Sequence, residues 1–191
     1  MAVSRPSQAS WPRIRQFQCY PTYSWIFNVG RWQNITTPNL ALRQPIFASA
    51  SRATFGPDLA NDGVLLHSWC LPPQERVGWL EVDLTRLRSE PVDFNTLVLS
   101  EPVGRWDDYP RTRIGNYRFL ALVGARWVDV VVMPGDSDKE TRHVRIHRVP
   151  RVSATRVRLE IRGRETEPEP HVAEVGVYDE PDGGTLVSQS R

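Results

Sequence analysis

The sequence predicts an all-β fold: a two-sheet antiparallel β-sandwich preceded by an irregular segment. Three observations carry this. Apolar and polar residues alternate with period two in successive short stretches, which turns one face of each stretch to a core and the other to water. Turn residues separate the stretches, and the 191 residues include 16 Pro and 12 Gly, as many short strands require. No segment repeats apolar residues at i, i+3, i+4 and i+7 over several turns, so amphipathic helix is not the main element. Half-apolar sheets bury that face by stacking in pairs.

In chain order, residues 1–38 show no sustained period. Ser, Pro, Gln and Arg are mixed there with Trp11, Phe17, Tyr20, Tyr23, Trp25, Phe27 and Trp32. So many aromatics argue against a purely disordered segment. Three readings stand: it docks on the domain, pairs with a neighbouring domain, or is a remnant of one.

From Asn39 the pattern becomes strand-like. In Trp79–Leu84, Leu80, Val82 and Leu84 face one way and Glu81 and Asp83 the other. Phe94–Glu101 puts Leu97 and Leu99 on one face. Tyr117 and Phe119 share a face in Ile114–Leu122, and Trp127–Val132 is rich in β-branched residues. Val144–Val149 follows. In Thr155–Ile161, Val157, Leu159 and Ile161 face in while Arg156, Arg158 and Glu160 face out. Val172–Tyr178 completes the set. Gly56-Pro57-Asp58, Asp62-Gly63, Pro72-Pro73, Pro134-Gly135-Asp136 and Pro168-Glu169-Pro170 supply the turns. Trp69 and Trp79 are expected in the core, and residues 182–191 form a flexible tail.

Several function classes have no footprint. Net charge is only +2 and the basic residues are nearly all Arg, with Lys139 the single lysine. No basic block is interleaved with aromatics, so nucleic-acid binding is not expected. No apolar run reaches membrane-spanning length. Arg5, Arg13 and Arg15 have no apolar stretch behind them, so no signal peptide is read. Cys19 and Cys70 allow one disulfide or two free thiols. Asn34-Ile35-Thr36 is a glycosylation triplet of a kind common by chance.

Ordered pieces of the chain resemble a known family. Asn39-Leu40-Ala41 to Pro45, Ala48-Ser49-Ala50-Ser51, Ala60-Asn61-Asp62-Gly63 to Trp69, Trp79-Leu80-Glu81-Val82-Asp83-Leu84, Ala154-Thr155-Arg156-Val157-Arg158-Leu159 and Ala173-Glu174-Val175-Gly176-Val177-Tyr178 are similar, in this order, to elements of discoidin (coagulation factor 5/8 type C) domains. Phe94–Pro102, Arg113–Phe119 and Pro170–Tyr178 more narrowly resemble the C-terminal accessory domain of family 29 α-L-fucosidases. The resemblance covers 39–181. It implies a jelly-roll sandwich of the galactose-binding-like kind, an extracellular setting and a carbohydrate-binding accessory role. A fucosidase barrel needs several hundred residues upstream. About 38 precede the domain here without a βα repeat, so the expected product is a detached module or a truncated one.

The resemblance also implies a structural calcium ion, with Asp62 and Glu174 at matching ligand positions. Val64 and His67 stand where the family pattern has a second Asp and a Thr, which removes two oxygen ligands from the six to eight calcium prefers. The competing reading has Asp62 bonding its own turn backbone and Glu174 pairing with an Arg.

For glycan contact, the stretch Gly104–Arg111 has the right composition. Trp106 and Tyr109 offer ring faces, and Arg105 and Arg111 offer donors for hydroxyls. His67 is a further candidate. The competing reading has these aromatics plugging one end of the sandwich. Other chemistry is not expected. His143 and His147 lie on a strand, where four residues span about 13 Å, too far for one metal ion. His67 and Cys70 make only two ligands. No Gly-x-Ser-x-Gly elbow is present.

The expected function is therefore a non-catalytic module for fucose- or galactose-containing glycans that works beside a catalytic domain. The alternatives are a structural sandwich packed on a partner without a glycan ligand, or a discoidin-type binder of protein or membrane.

Overall fold

The computed structural model describes residues 35–86, 90–102, 114–133, 143–164 and 169–181. Ten strands are assigned among them: β1 (Ile46–Ala48), β2 (Trp69–Cys70), β3 (Val77–Asp83), β4 (Val92–Ser100), β5 (Ile114–Val123), β6 (Arg126–Met133), β7 (Val144–Ala154), β8 (Arg156–Gly163), β9 (His171–Val172) and β10 (Glu174–Tyr178). A 3-10 turn at Pro57–Ala60 is the helical element among the described residues. No helix among them is long and apolar enough to cross a membrane.

All pairings are antiparallel. One sheet runs β1-β3-β8-β5-β6 and a second runs β10-β4-β7, with β2-β9 as a short separate ribbon. The apolar alternation explains the two-layer architecture. Leu80, Val82, Val157, Leu159, Ile161, Tyr117 and Phe119 point from the larger sheet into one core with Phe94, Leu97, Leu99, Val175 and Val177 of the smaller. Phe94 and Leu97 reach the same core across an odd spacing because the β4–β7 register shifts between Phe94 and Thr96, a bulge that re-aims the chain. Pro150, which cannot donate to a ladder, sits in this irregularity on the edge strand β7.

Two strand expectations and one core expectation are corrected. Val172–Tyr178 is two strands: β9 pairs with β2, then the chain crosses at Ala173 and β10 pairs with β4. The β7 strand continues past Val149 to Ala154, because its edge position tolerates Pro150. Trp69 is fully buried, but Trp79 is not in the core. It lies on the outer face of β3, where the Arg158 guanidinium sits 4.8 Å from its ring centre and 4.5 Å from that of Trp127. Beneath it, Glu81 accepts from Arg156 at 2.7 Å and Arg158 at 2.6 Å and is thereby buried.

The outer face of the smaller sheet is covered as well. Val98 and Tyr178 pack with Ile35 and Leu65. Thr36 and Thr37 dock by four hydrogen bonds onto the single carboxylate of Glu180. Packing against the sandwich thus extends back to Ile35.

Candidate functional site

Among the described residues, Asp62, His67 and Glu174 lie together: Asp62 bonds His67, and the neighbouring Gly63 N–H bonds Glu174. The chain leaves β4 at Ser100 and enters β5 at Ile114, and Ser100 is also the register partner of Glu174 at the start of β10. Arg105, Trp106, Tyr109 and Arg111 fall in the segment between, outside the described residues. The two ends of that segment are tied together. The fully buried Glu101 carboxylate accepts the Ile114 N–H at 2.6 Å and pairs with the buried Arg145 at 3.2 Å. Arg145 in turn lies over the Tyr117 ring, 5.1 Å from its centre.

Beside this base sits the pair proposed for calcium. Asp62 accepts the Val64 N–H at 2.7 Å, the turn geometry expected for Asp-Gly, and its other oxygen bonds His67 Nδ1 at 2.6 Å. A carboxylate can only accept, so Nδ1 donates to Asp62, and in the neutral ring Nε2 is left as the acceptor. The His67 side chain is 51% exposed, which suits a group that meets a ligand. Glu174 accepts from Asn39 Nδ2 at 2.9 Å and from the Gly63 N–H at 3.3 Å. These described partners are neutral; neither is an Arg. Burial pushes the Glu174 carboxyl up to about 8; the Gly63 bond lowers it, the nearby Asp62 charge raises it, and the Asn39 bond lowers it.

A buried carboxylate beside a second one, with neutral partners, is an arrangement that a cation relieves. In charge, Asp62 and Glu174 fit calcium. In ligand number they supply side-chain oxygens from two residues only, since Val64 has no side-chain oxygen and His67 offers nitrogen. Main-chain carbonyls and water would have to complete the six to eight ligands.

Of the pair His143 and His147, the second has a described side-chain partner. His147 lies within strand β7, where it bonds the Tyr117 hydroxyl at 2.8 Å. A groove of about 510 Å³, lined by Leu40, Glu90, Pro91, Val92, Asp93, Ser153 and Asp179, opens at the far end of the sandwich. It holds none of the residues selected from sequence. Sequence reasoning missed the Glu101–Arg145 pair under the candidate segment. The only signal was an acidic residue ending an apolar strand.

No protein-family model matches the chain. No curated protein matches it. Solved structures do. A chitosan-binding module from the chitosanase/glucanase of Paenibacillus sp. IK-5 superposes with a TM-score of 0.60 at 20% identity, covering 75% of this chain and 99% of that one. The lectin domain of lectinolysin, solved with Lewis B antigen, gives 0.60 at 19% identity, covering 77% and 100%. A Ruminococcus gnavus family 29 fucosidase gives 0.58 at 18% identity; the match covers 75% of this chain but only 27% of the enzyme. These likenesses establish the fold, a two-sheet antiparallel β-sandwich shared with these carbohydrate-binding and lectin domains.

Proposed function

We propose that this protein is a non-catalytic carbohydrate-binding module whose ligand site lies at the end of the sandwich bearing His67 and the segment between β4 and β5. The observation that carries the reading is the fold match to a chitosan-binding module and a lectin domain over nearly their whole length, the latter solved with a Lewis antigen. The buried tie between Glu101 and Ile114 at the base of the segment supports it, since a sugar site needs a fixed frame.

In this reading Trp106 and Tyr109 offer ring faces to a fucose- or galactose-type sugar. Arg105 and Arg111 donate to its hydroxyls, and His67 Nε2 accepts from one. Calcium belongs to the same proposal: Asp62 and Glu174 would hold the ion, which would neutralise their charge and stiffen the Asp62-Gly63 turn. The chain does no chemistry itself. It raises the local concentration of glycan for an adjacent catalytic domain.

Calorimetry and glycan arrays with fucose, galactose and chitooligosaccharides test the reading. Weak one-to-one binding, lost in Trp106→Ala and kept in Trp127→Ala, is expected. Binding that disappears in Trp127→Ala but survives Trp106→Ala would move the site to the outer sheet face. Indifference to every sugar would favour a structural module packed on a partner.

A further inference from the structure

A second cluster lies on the short ribbon and belongs to no part of the glycan reading. Cys70 of β2 and His171 of β9 are direct register partners. Opposed residues of an antiparallel pair present their side chains on the same face. Alternate residues share that face too, which brings Ser68 and Glu169 to it. The donor atoms of Cys70, Glu169 and His171 all lie within 4.8 Å of one another. Cys70 is fully buried, His171 is buried and Glu169 is partly exposed. Ser68 Oγ bonds His171 Nδ1 at 2.9 Å, and the Phe55 ring packs edge-on against the imidazole, 5.4 Å between centres.

We propose that Cys70, Glu169 and His171 form a binding site for one divalent transition-metal ion, zinc being the type. A thiolate, an imidazole and a carboxylate are the ligand set of a borderline-soft ion, not of calcium or magnesium. A tetrahedral ion with bonds of about 2.0–2.3 Å needs its donors roughly 3.3–3.7 Å apart. The three donors, all within 4.8 Å of one another, therefore have to close by at most about 1.5 Å. With the ion bound, the Ser68 hydroxyl would accept the Nδ1 proton of His171, which frees Nε2 for the ion. This is the outer-shell device that fixes a ligating histidine. Glu169, at the rim, leaves the fourth position open to water.

Arg52 now holds the positive charge. It contacts Glu169 at 3.3 Å, with its side chain 44% exposed. A long exposed side chain can swing into solvent when an ion takes its place. Binding exchanges one proton for one ion: the Cys70 S–H bond breaks, a sulfur–metal bond forms, and the proton leaves to solvent. No redox change occurs. His171 would coordinate as the neutral ring through Nε2 and keep its Nδ1 proton on the Ser68 hydroxyl, so it releases none.

Cobalt(II) titration of the reduced full chain, followed by zinc competition, tests the site. One ion per chain, a thiolate-to-cobalt charge-transfer band and its bleaching by zinc are expected. Cys70→Ser should abolish the band and Cys19→Ser should keep it. Glu169→Gln should weaken affinity by at least about tenfold. Arg52→Ala should tighten it severalfold, because a competing cation is gone. These two variants alter partly exposed side chains, so they read the site even if Cys70→Ser fails to fold. A spectrum without a thiolate band overturns the proposal. So does a band that survives Cys70→Ser, or an affinity unmoved by both Glu169→Gln and Arg52→Ala. Sugar binding is read separately and is expected to be unchanged in all four variants.

Discussion

The Glu101 carboxylate accepts the main-chain N–H of Ile114 at 2.6 Å, so one buried side chain closes the chain upon itself across the segment that carries Trp106 and Tyr109. The same carboxylate neutralises Arg145, whose side chain is only 4% exposed. Removing one member of a buried pair leaves the other charge uncompensated. Glu101→Gln keeps an oxygen for Ile114 but loses the charge, and is expected to cost about 3 kcal/mol. Urea denaturation of variant and parent measures it. Sugar affinity should fall in the same variant if the segment is the binding element.

On the outer face of the larger sheet, Arg158 lies between two indoles and also pairs with Glu81. A lysine keeps the charge but not the flat stacking surface or the two-pronged donor. Arg158→Lys is expected to destabilise by roughly 1–2 kcal/mol and to shift the tryptophan emission. An unchanged unfolding midpoint would mean that the stack contributes nothing to stability.

The Glu180 carboxylate collects both the N–H and the hydroxyl of Thr36 and Thr37. Burial raises its carboxyl pKa, but the Thr37 and then the Thr36 bonds outweigh this and hold it below the usual value. The group's contribution is therefore present above the unfolded carboxyl pKa and is lost as pH falls through the lower folded value. Glu180→Ala should free the segment around Ile35, with faster amide exchange at Thr36 and Thr37 and a stability loss of about 1–3 kcal/mol.

His147 gives a separate pH window. Burial, reinforced by the Arg145 charge, lowers its pKa from 6.5 to about 4. The unfolded chain takes up a proton between those values and the folded chain does not. Stability should be full above the unfolded value and decline as pH falls toward the folded one. From about pH 7 to about pH 5 the loss attributable to this ring is roughly 2 kcal/mol. Denaturation curves at the two pH values should differ less in His147→Gln by about that amount.

The fold was legible because alternation is a local property. In Thr155–Ile161 each inward residue is two positions from the next, and the structure buries Val157, Leu159 and Ile161 as that period requires. Asp62 was legible in the same way, since its bond to Val64 spans two residues. Trp79 was misread because alternation assigns a face but cannot say that an arginine on the neighbouring strand will clothe an indole on the wet side.

By itself the sequence determined the long strands and the two-layer stacking, because strand period and turn residues act over a few neighbours. Only the tertiary structure decided which distant side chains share a face. Glu101 meets Arg145 through the pairing of β4 with β7, and Cys70 meets His171 through the pairing of β2 with β9. Strand register across the sandwich sets those partners, and register is fixed by the whole core packing at once.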